Sequence, residues 1–385
     1  MISRRVSDIS ESTTVALSNL ASRLKSEGKK IYNFGIGEPD FTTPDAEIEF
    51  AFQKAKEGFT HYTPSKGFPE LRAGIARKVS GNGKYGITQN NVLVSPTKFA
   101  VNLSFLSTAD PGDEIIIPEP YYLSYPEIAK IYGIKPVTVE SNDDFSLNID
   151  NIKSAITPKT RAVIISNPSN PTGKVFTPDQ FKELQRLCIE NKIYLITDQI
   201  YEELVFEGQV QDPLELDPEL HNTIILSGFS KSHAMTGWRI GYMIASTDVI
   251  NASDKFQQQT ITCAPSISQM AALEALKDTD FVIKMKGTFE KRRDLMIQKL
   301  KEIPNIELVT PGGAFYVFPK YNLNMSSVEF SNIALQKKGL IITPGSAFGG
   351  QGEFHFRMSY ATDMDTIKTG LELLKDLMNE MTEVR

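Results

Sequence analysis

A chain of 385 residues with a formal charge of −6 and 41% apolar residues can bury a large core, and its length sets an expectation of two domains. The acidic balance, with a sequence pI near 5.5, gives no electrostatic case for nucleic acid or an anionic membrane, and no run of 18 apolar residues marks a membrane span. Cys188 and Cys263 are too few for a disulfide framework, lack metal-ligand spacing, and stand among only four scattered histidines, so no metal centre is expected.

The chain opens on Met1-Ile2-Ser3-Arg4-Arg5 and runs on in polar sequence. Arg4-Arg5 lacks the apolar stretch that a twin-arginine signal needs, so a cytoplasmic location is expected. From Ser12 to Leu24, Val15, Leu17, Leu20 and Leu24 predict an amphipathic helix, suited either to a neighbouring subunit or to the chain's own smaller domain. The β-branched runs Val92–Val94, Glu114–Ile117, Ala162–Ile165, Tyr194–Ile196 and Thr223–Leu226 predict buried strands. Between them, Phe181, Leu184, Leu187 and Cys188 predict a helix over 179–191, with Thr177-Pro178 as its start. Such alternation implies an α/β fold with a mostly parallel sheet. Past residue 285 the texture changes to a charged helix over 286–301, short strands around Phe315–Phe318 and Phe354–Met358, and a last helix from Asp363. The expected organisation is a large domain over 46–284 with the mostly parallel central sheet, and a smaller α+β domain over 285–385. The N-terminal segment 1–45 is expected to pack on the small domain or on a partner subunit.

The chemistry is densest in Ser227-Gly228-Phe229-Ser230-Lys231-Ser232-His233-Ala234-Met235-Thr236-Gly237-Trp238-Arg239-Ile240-Gly241. An amine among small and hydroxyl residues, Lys231, can form a Schiff base with an aldehyde. Arg239, eight positions on and beside glycines, can hold a phosphate as a planar fork. The run resembles, position by position, the cofactor-lysine signature of class-I/II aminotransferases of the aspartate aminotransferase family, of fold type I. Their cofactor, pyridoxal 5'-phosphate, carries both an aldehyde and a phosphate. Other segments extend the resemblance over residues 12 to 375.

Asp198 ends a predicted strand, where open α/β sheets place ligands, and a carboxylate there can keep a pyridine nitrogen protonated. Tyr201, three residues on, is placed to hydrogen-bond the ring's phenolic oxygen. Asn167-Pro168-Ser169-Asn170-Pro171-Thr172-Gly173 forms an irregular loop and resembles the family loop whose second Asn, here Asn170, contacts the same oxygen. For the phosphate, Arg239 is joined by Ser230, one residue before the lysine, and by Ser95, Thr97 and Lys98, where this chain departs from the family's small or Gly-containing turn. The last three belong to Ser95-Pro96-Thr97-Lys98, which reads equally as a helix start and as an anion site. Pro96 has no N–H, so the contacts fall to the Thr97 hydroxyl and the N–H groups of Thr97 and Lys98. Tyr122 aligns with an aromatic, often Trp, that stacks on the ring. Phe34-Gly35-Ile36-Gly37-Glu38-Pro39-Asp40-Phe41 resembles a motif whose backbone near Gly37 approaches the substrate carboxylate. His61-Tyr62-Thr63-Pro64 resembles one whose Tyr reaches the neighbouring subunit's phosphate. Arg357, in Phe356-Arg357-Met358-Ser359-Tyr360-Ala361, looks like the arginine that takes the α-carboxylate bidentately. Gln199 replaces a Glu common in the family.

The resemblance implies an aminotransferase that moves an amino group between an L-amino acid and a 2-oxo acid in a ping-pong cycle. Lys231, Asp198 and Tyr201 would be its catalytic residues, and a homodimer would share the sites. Aspartate and 2-oxoglutarate are the expected substrates, although relatives that read a distal carboxylate carry Lys where Thr97 stands. The alternative is a C–S β-lyase or another enzyme of the same fold type, since these share Lys, Asp and Arg. A transcription regulator would need an N-terminal helix-turn-helix domain, for which motifs starting by residue 30 leave no room.

Overall fold

Five β-branched runs form strands at the expected positions, and two further strands complete one sheet. The computed structural model describes residues 7, 9–81 and 83–383, so Arg4-Arg5 lies outside the described residues. After the short strand β1 (Tyr32–Asn33), the sheet is built from β2 (Val92–Val94), β3 (Glu114–Glu119), β4 (Lys135–Glu140), β5 (Thr160–Ser166), β6 (Tyr194–Asp198), β7 (Thr223–Gly228) and β8 (Gly241–Ile244). Their order is β2-β8-β7-β6-β5-β3-β4. β3 to β7 are parallel to their sheet neighbours within that set, and β8 is the reversed strand, antiparallel to both β2 and β7.

The side-chain period of two explains why these runs are apolar throughout. Ile115, Ile117, Ile196, Ile224 and Leu226 face one core, while Ile116, Val163, Ile165 and Leu195 face another beneath Phe181 and Leu184. Those two residues belong to the helix Pro178–Glu190, started as expected by Thr177, whose hydroxyl accepts the Gln180 N–H while the Gln180 side chain returns to the Thr177 N–H. The two strands without a sequence prediction lack a strong signal. β4 is a half-exposed edge with Pro136 in it, and β8 has four residues and begins on glycine.

Beyond this sheet lie β9 (Ile306–Glu307), β10 (Tyr316–Val317), β11 (Lys320–Tyr321), β12 (Leu340–Ile341), β13 (Thr343–Pro344) and β14 (Phe356–Ser359). β10, β14 and β13 form an antiparallel sheet, and β1 pairs in parallel with β12, which ties residues 32–33 to 340–341. The expected strand at 354–358 begins only at Phe356, because Phe354 takes a left-handed φ of 63°. The charged helix begins at Thr279 rather than 286, with the Asp278 carboxylate capping the Phe281 N–H at 3.0 Å. The N-terminal helix spans Thr13–Ser26. It buries Ala21 and Leu24, leaves Val15 52% exposed, and lies against β13.

Candidate active site

The C-terminal ends of the parallel strands and the β10–β14 sheet enclose one cleft. Gly37, Thr97, Lys98, Tyr122, Asn170, Asp198, Tyr201, Ser230, Lys231, Arg239 and Arg357 all line it. Most sit just past a strand end or on one: Asn170 after β5, Asp198 closing β6, Lys231 after β7, Thr97 after β2 and Arg357 within β14, while Arg239 lies on the loop that leads into β8. Ser95 and Tyr62 are not among its lining residues. Ser95 is fully buried, with its N–H given to the Gly241 carbonyl and its hydroxyl unpartnered. Tyr62 is 86% exposed on the outer surface.

Lys231 and Asp198 are both displaced from their ordinary acidities. The Lys231 amine donates to the Gly37 carbonyl at 2.6 Å. Burial lowers its pKa to about 8, helped by Arg357 and Arg239 and opposed by Glu38 and Asp198. Burial raises the Asp198 carboxyl to about 6, against the pull of two hydrogen bonds. Its Oδ2 accepts the Tyr125 hydroxyl at 2.8 Å and its Oδ1 accepts the Ile200 N–H at 3.2 Å. A cation set against Asp198 would return it to the carboxylate form. Tyr125 was not singled out in the sequence. It follows Tyr122 by three residues across the start of the helix Ser124–Ile131, and the two rings meet edge to face at 5.4 Å. That spacing was the available signal.

Arg357 is 1% exposed. It donates to the Asn170 side-chain oxygen at 3.0 Å and to the Gly35 carbonyl at 2.8 Å, while its Nε is buried and unpartnered. A buried guanidinium with a donor left over has no counter-charge hydrogen-bonded to it, which suits an incoming carboxylate. The guanidinium lies 4.5 Å over the Tyr316 ring and 5.1 Å from the Phe348 ring. Tyr316, on β10, also shares a hydroxyl–hydroxyl bond of 2.9 Å with Tyr201. A β-carbon on Gly37 would stand 2.7 Å from the Tyr316 hydroxyl, so only glycine lets the Gly37 backbone come this close.

The opposite end of the cleft is open. Arg239 is exposed, has φ of 55°, and makes one hydrogen bond, to the Thr236 carbonyl at 2.9 Å. Its loop is held by the Thr43 hydroxyl donating to the Ala234 carbonyl at 2.8 Å and by the Trp238 indole donating to Thr43 at 2.9 Å. The helix Thr97–Thr108 points its first turn here, and the Thr97 hydroxyl donates to the Ser227 carbonyl at 3.1 Å. N–H groups of a first helical turn have no acceptor inside the helix, which makes them anion ligands. Glu38 and Thr236, joined by a hydroxyl–carboxylate bond of 2.9 Å, border the cleft and were also not singled out.

The family model for aminotransferase class I and II matches residues 29–374. This chain is a class I and II aminotransferase. It is 38% identical over 386 residues to an aspartate aminotransferase of Sulfolobus acidocaldarius, covering 97% of this chain and 96% of that one. It is also 38% identical over 383 residues to a (5-formylfuran-3-yl)methyl phosphate transaminase of Methanocaldococcus jannaschii, covering 99% of this chain and all of that one. The aspartate aminotransferase of Thermus thermophilus solved with maleate superposes with a TM-score of 0.93 at 34% identity, covering 98% and 99% of the two chains.

Aminotransferases of this family depend on pyridoxal phosphate, and the cleft fits that group. One end offers an arginine and a helix N-terminus for the phosphate, and the other a buried carboxylate for the ring nitrogen. Between them lies an amine whose pKa, about 8, leaves an appreciable neutral fraction near pH 7.5 for bonding to an aldehyde carbon. No helix among the described residues is long and apolar enough to cross a membrane.

Proposed function

We propose that this aminotransferase takes an amino group from an L-amino acid, aspartate first, and passes it to a 2-oxo acid such as 2-oxoglutarate in two ping-pong half-reactions. The observation that carries the reading is Arg357, buried with an unpartnered Nε in the same cleft as Lys231. Its fork takes the α-carboxylate of donor and acceptor alike, and Asn170 braces it. Pyridoxal phosphate, when bound, supplies an electron-withdrawing ring that accepts the charge left by the departing α-proton. Lys231 carries that proton as general base, and the Gly37 carbonyl aims its amine. Asp198 holds the ring nitrogen protonated, and Tyr125 fixes the carboxylate that does so. Tyr201 and Asn170 hold the phenolic oxygen. Tyr122 packs on the ring face. Arg239, Ser230, Thr97 and Lys98 hold the phosphate, with the buried Ser95 hydroxyl behind them.

Aspartate is supported by the Sulfolobus acidocaldarius relative, although an equally identical relative is named for a phosphate-bearing aldehyde. In this reading residues 46–284 bind the cofactor and 285–385 form the small domain. The N-terminal segment packs on the latter through β1. The active unit is a cytoplasmic homodimer in which the exposed Tyr62 reaches the partner's phosphate. The test is a panel of amino donors against 2-oxoglutarate, read by glutamate formation. Aspartate at the head of the panel supports the assignment. Pyruvate and ammonia released without a keto-acid acceptor would contradict it.

A further inference from the structure

Tyr316 touches both halves of the reaction centre while belonging to neither motif that defines them. Its ring faces the Arg357 guanidinium at 4.5 Å, and its hydroxyl meets that of Tyr201 at 2.9 Å. Its ring also packs edge to face on Tyr201 at 5.8 Å between centroids, and the tyrosine is 1% exposed. Its backbone is fixed by β10, which pairs Tyr316 with Ser359, two residues from Arg357. The same hydroxyl lies 2.7 Å from where a β-carbon on Gly37 would stand, and the Gly37 carbonyl receives the Lys231 amine. One buried side chain thus borders three groups: the Arg357 fork, the Tyr201 phenol and the Gly37 loop that receives the lysine amine.

We propose that Tyr316 is a positioning residue with two separable actions, its ring face orienting Arg357 for the substrate carboxylate and its hydroxyl polarising Tyr201 toward the cofactor's phenolic oxygen. The inference rests on the roles given above to Arg357 and Tyr201. The two actions use different atoms. A guanidinium over an aromatic face is held by the ring quadrupole, which phenylalanine keeps. The hydroxyl contact has a direction once the cofactor is present. Tyr201 then gives its proton to the phenolic oxygen, so Tyr316 donates to Tyr201. Donation from Tyr316 makes Tyr201 a stronger donor in turn, because hydrogen bonds in a chain polarise one another. Removing the Tyr316 hydroxyl should therefore leave the phenolic oxygen less stabilised as an anion, and the cofactor should hold its proton to higher pH.

The experiment uses the loaded enzyme with two readouts besides turnover. One is the pH midpoint of the cofactor's visible absorbance, and the other is the Kd of maleate, a non-reacting dicarboxylate. Tyr316→Phe should raise the midpoint by about half a pH unit or more and leave the maleate Kd within about twofold. Tyr316→Met, which keeps a long apolar side chain but has no π face, should also weaken maleate by roughly tenfold or more. A Tyr316→Phe midpoint within about 0.2 pH unit of wild type, or a maleate Kd moved as far by Phe as by Met, would overturn the proposal. Should Tyr316→Met fail to fold, the split between the two readouts in Tyr316→Phe still decides. Arg357→Ala and Tyr201→Phe are the controls for the underlying roles. If neither moves its own readout, the assignment of the cleft fails first. If both do while Tyr316→Phe and Tyr316→Met move nothing, only the positioning role fails.

Discussion

The cleft holds two arginines in opposite physical states. Arg357 is buried, bonded to Asn170 and Gly35, and stacked between Tyr316 and Phe348. Arg239 is exposed, hangs on a loop with a left-handed φ, and has one hydrogen bond to its own chain. The difference matches what each end would recognise in the proposed function. A carboxylate that arrives and leaves every turnover would be met by a guanidinium already fixed and desolvated, so that little ordering remains when it binds. A phosphate that stays would be met by adaptable donors from several elements. In the proposed homodimer the exposed Tyr62 completes that end from the partner subunit, which explains why a single chain leaves it open.

The contrast can be tested by substitution against a common reference. Lys231→Ala should lower turnover by ~10⁴ or more while the cofactor still binds non-covalently, because the general base and covalent anchor go together. Equilibrium dialysis and donor assays check both halves.

Asp198→Asn should lower kcat by about 10³, since a ring nitrogen without a carboxylate partner loses about 4 kcal/mol of charge stabilisation in the transition state. The same change should stabilise the cofactor-free protein. Folded Asp198 titrates near 6 against a reference of 3.8, so between those values the folded state binds a proton that the unfolded state has released. Stability therefore falls as pH rises through this window and stays lower above it. In Asp198→Asn that fall should be absent, leaving the variant more stable at pH 7 by a few kcal/mol at most, roughly 1.4 kcal/mol for each tenfold difference in proton affinity. Thermal melts of wild type and variant from pH 4 to 7 would show it.

Arg357→Lys should cut kcat/KM by ~10², about 3 kcal/mol, because a lysine cannot reproduce the fork and leaves Asn170 and Gly35 with unmet acceptors. Arg239→Lys should cost much less, roughly fivefold in cofactor affinity, since a point charge still serves an exposed phosphate. Equal losses from the two lysine substitutions would erase the distinction between the two ends.

What the sequence makes legible follows the same division. That Lys231, Arg239 and Asn170 meet in one cleft was legible because their motifs are contiguous in sequence. The buried strands were legible because burial on both faces makes them apolar throughout. Tyr316 sat inside a predicted strand, yet nothing local says that its hydroxyl meets Tyr201 or that its ring meets Arg357. Those contacts join residues more than forty positions apart: the β10–β14 pairing brings the ring to Arg357, and the Val205–Gly313 bridge brings the hydroxyl to Tyr201. Tyr125 was hidden for a related reason. Its hydroxyl reaches Asp198 across 73 positions, through the parallel packing of β3, β5 and β6. The start of the charged helix was missed because its cap, Asp278, lies before the apolar spacing becomes regular.

The most direct test of the cleft's assignment is reduction of the loaded enzyme with borohydride, which fixes the cofactor to the amine that holds it, followed by peptide mapping. Label on Lys231 alone is the expected result. Label on Lys98, or on any lysine outside the cleft, with Lys231 unmodified would contradict the assignment.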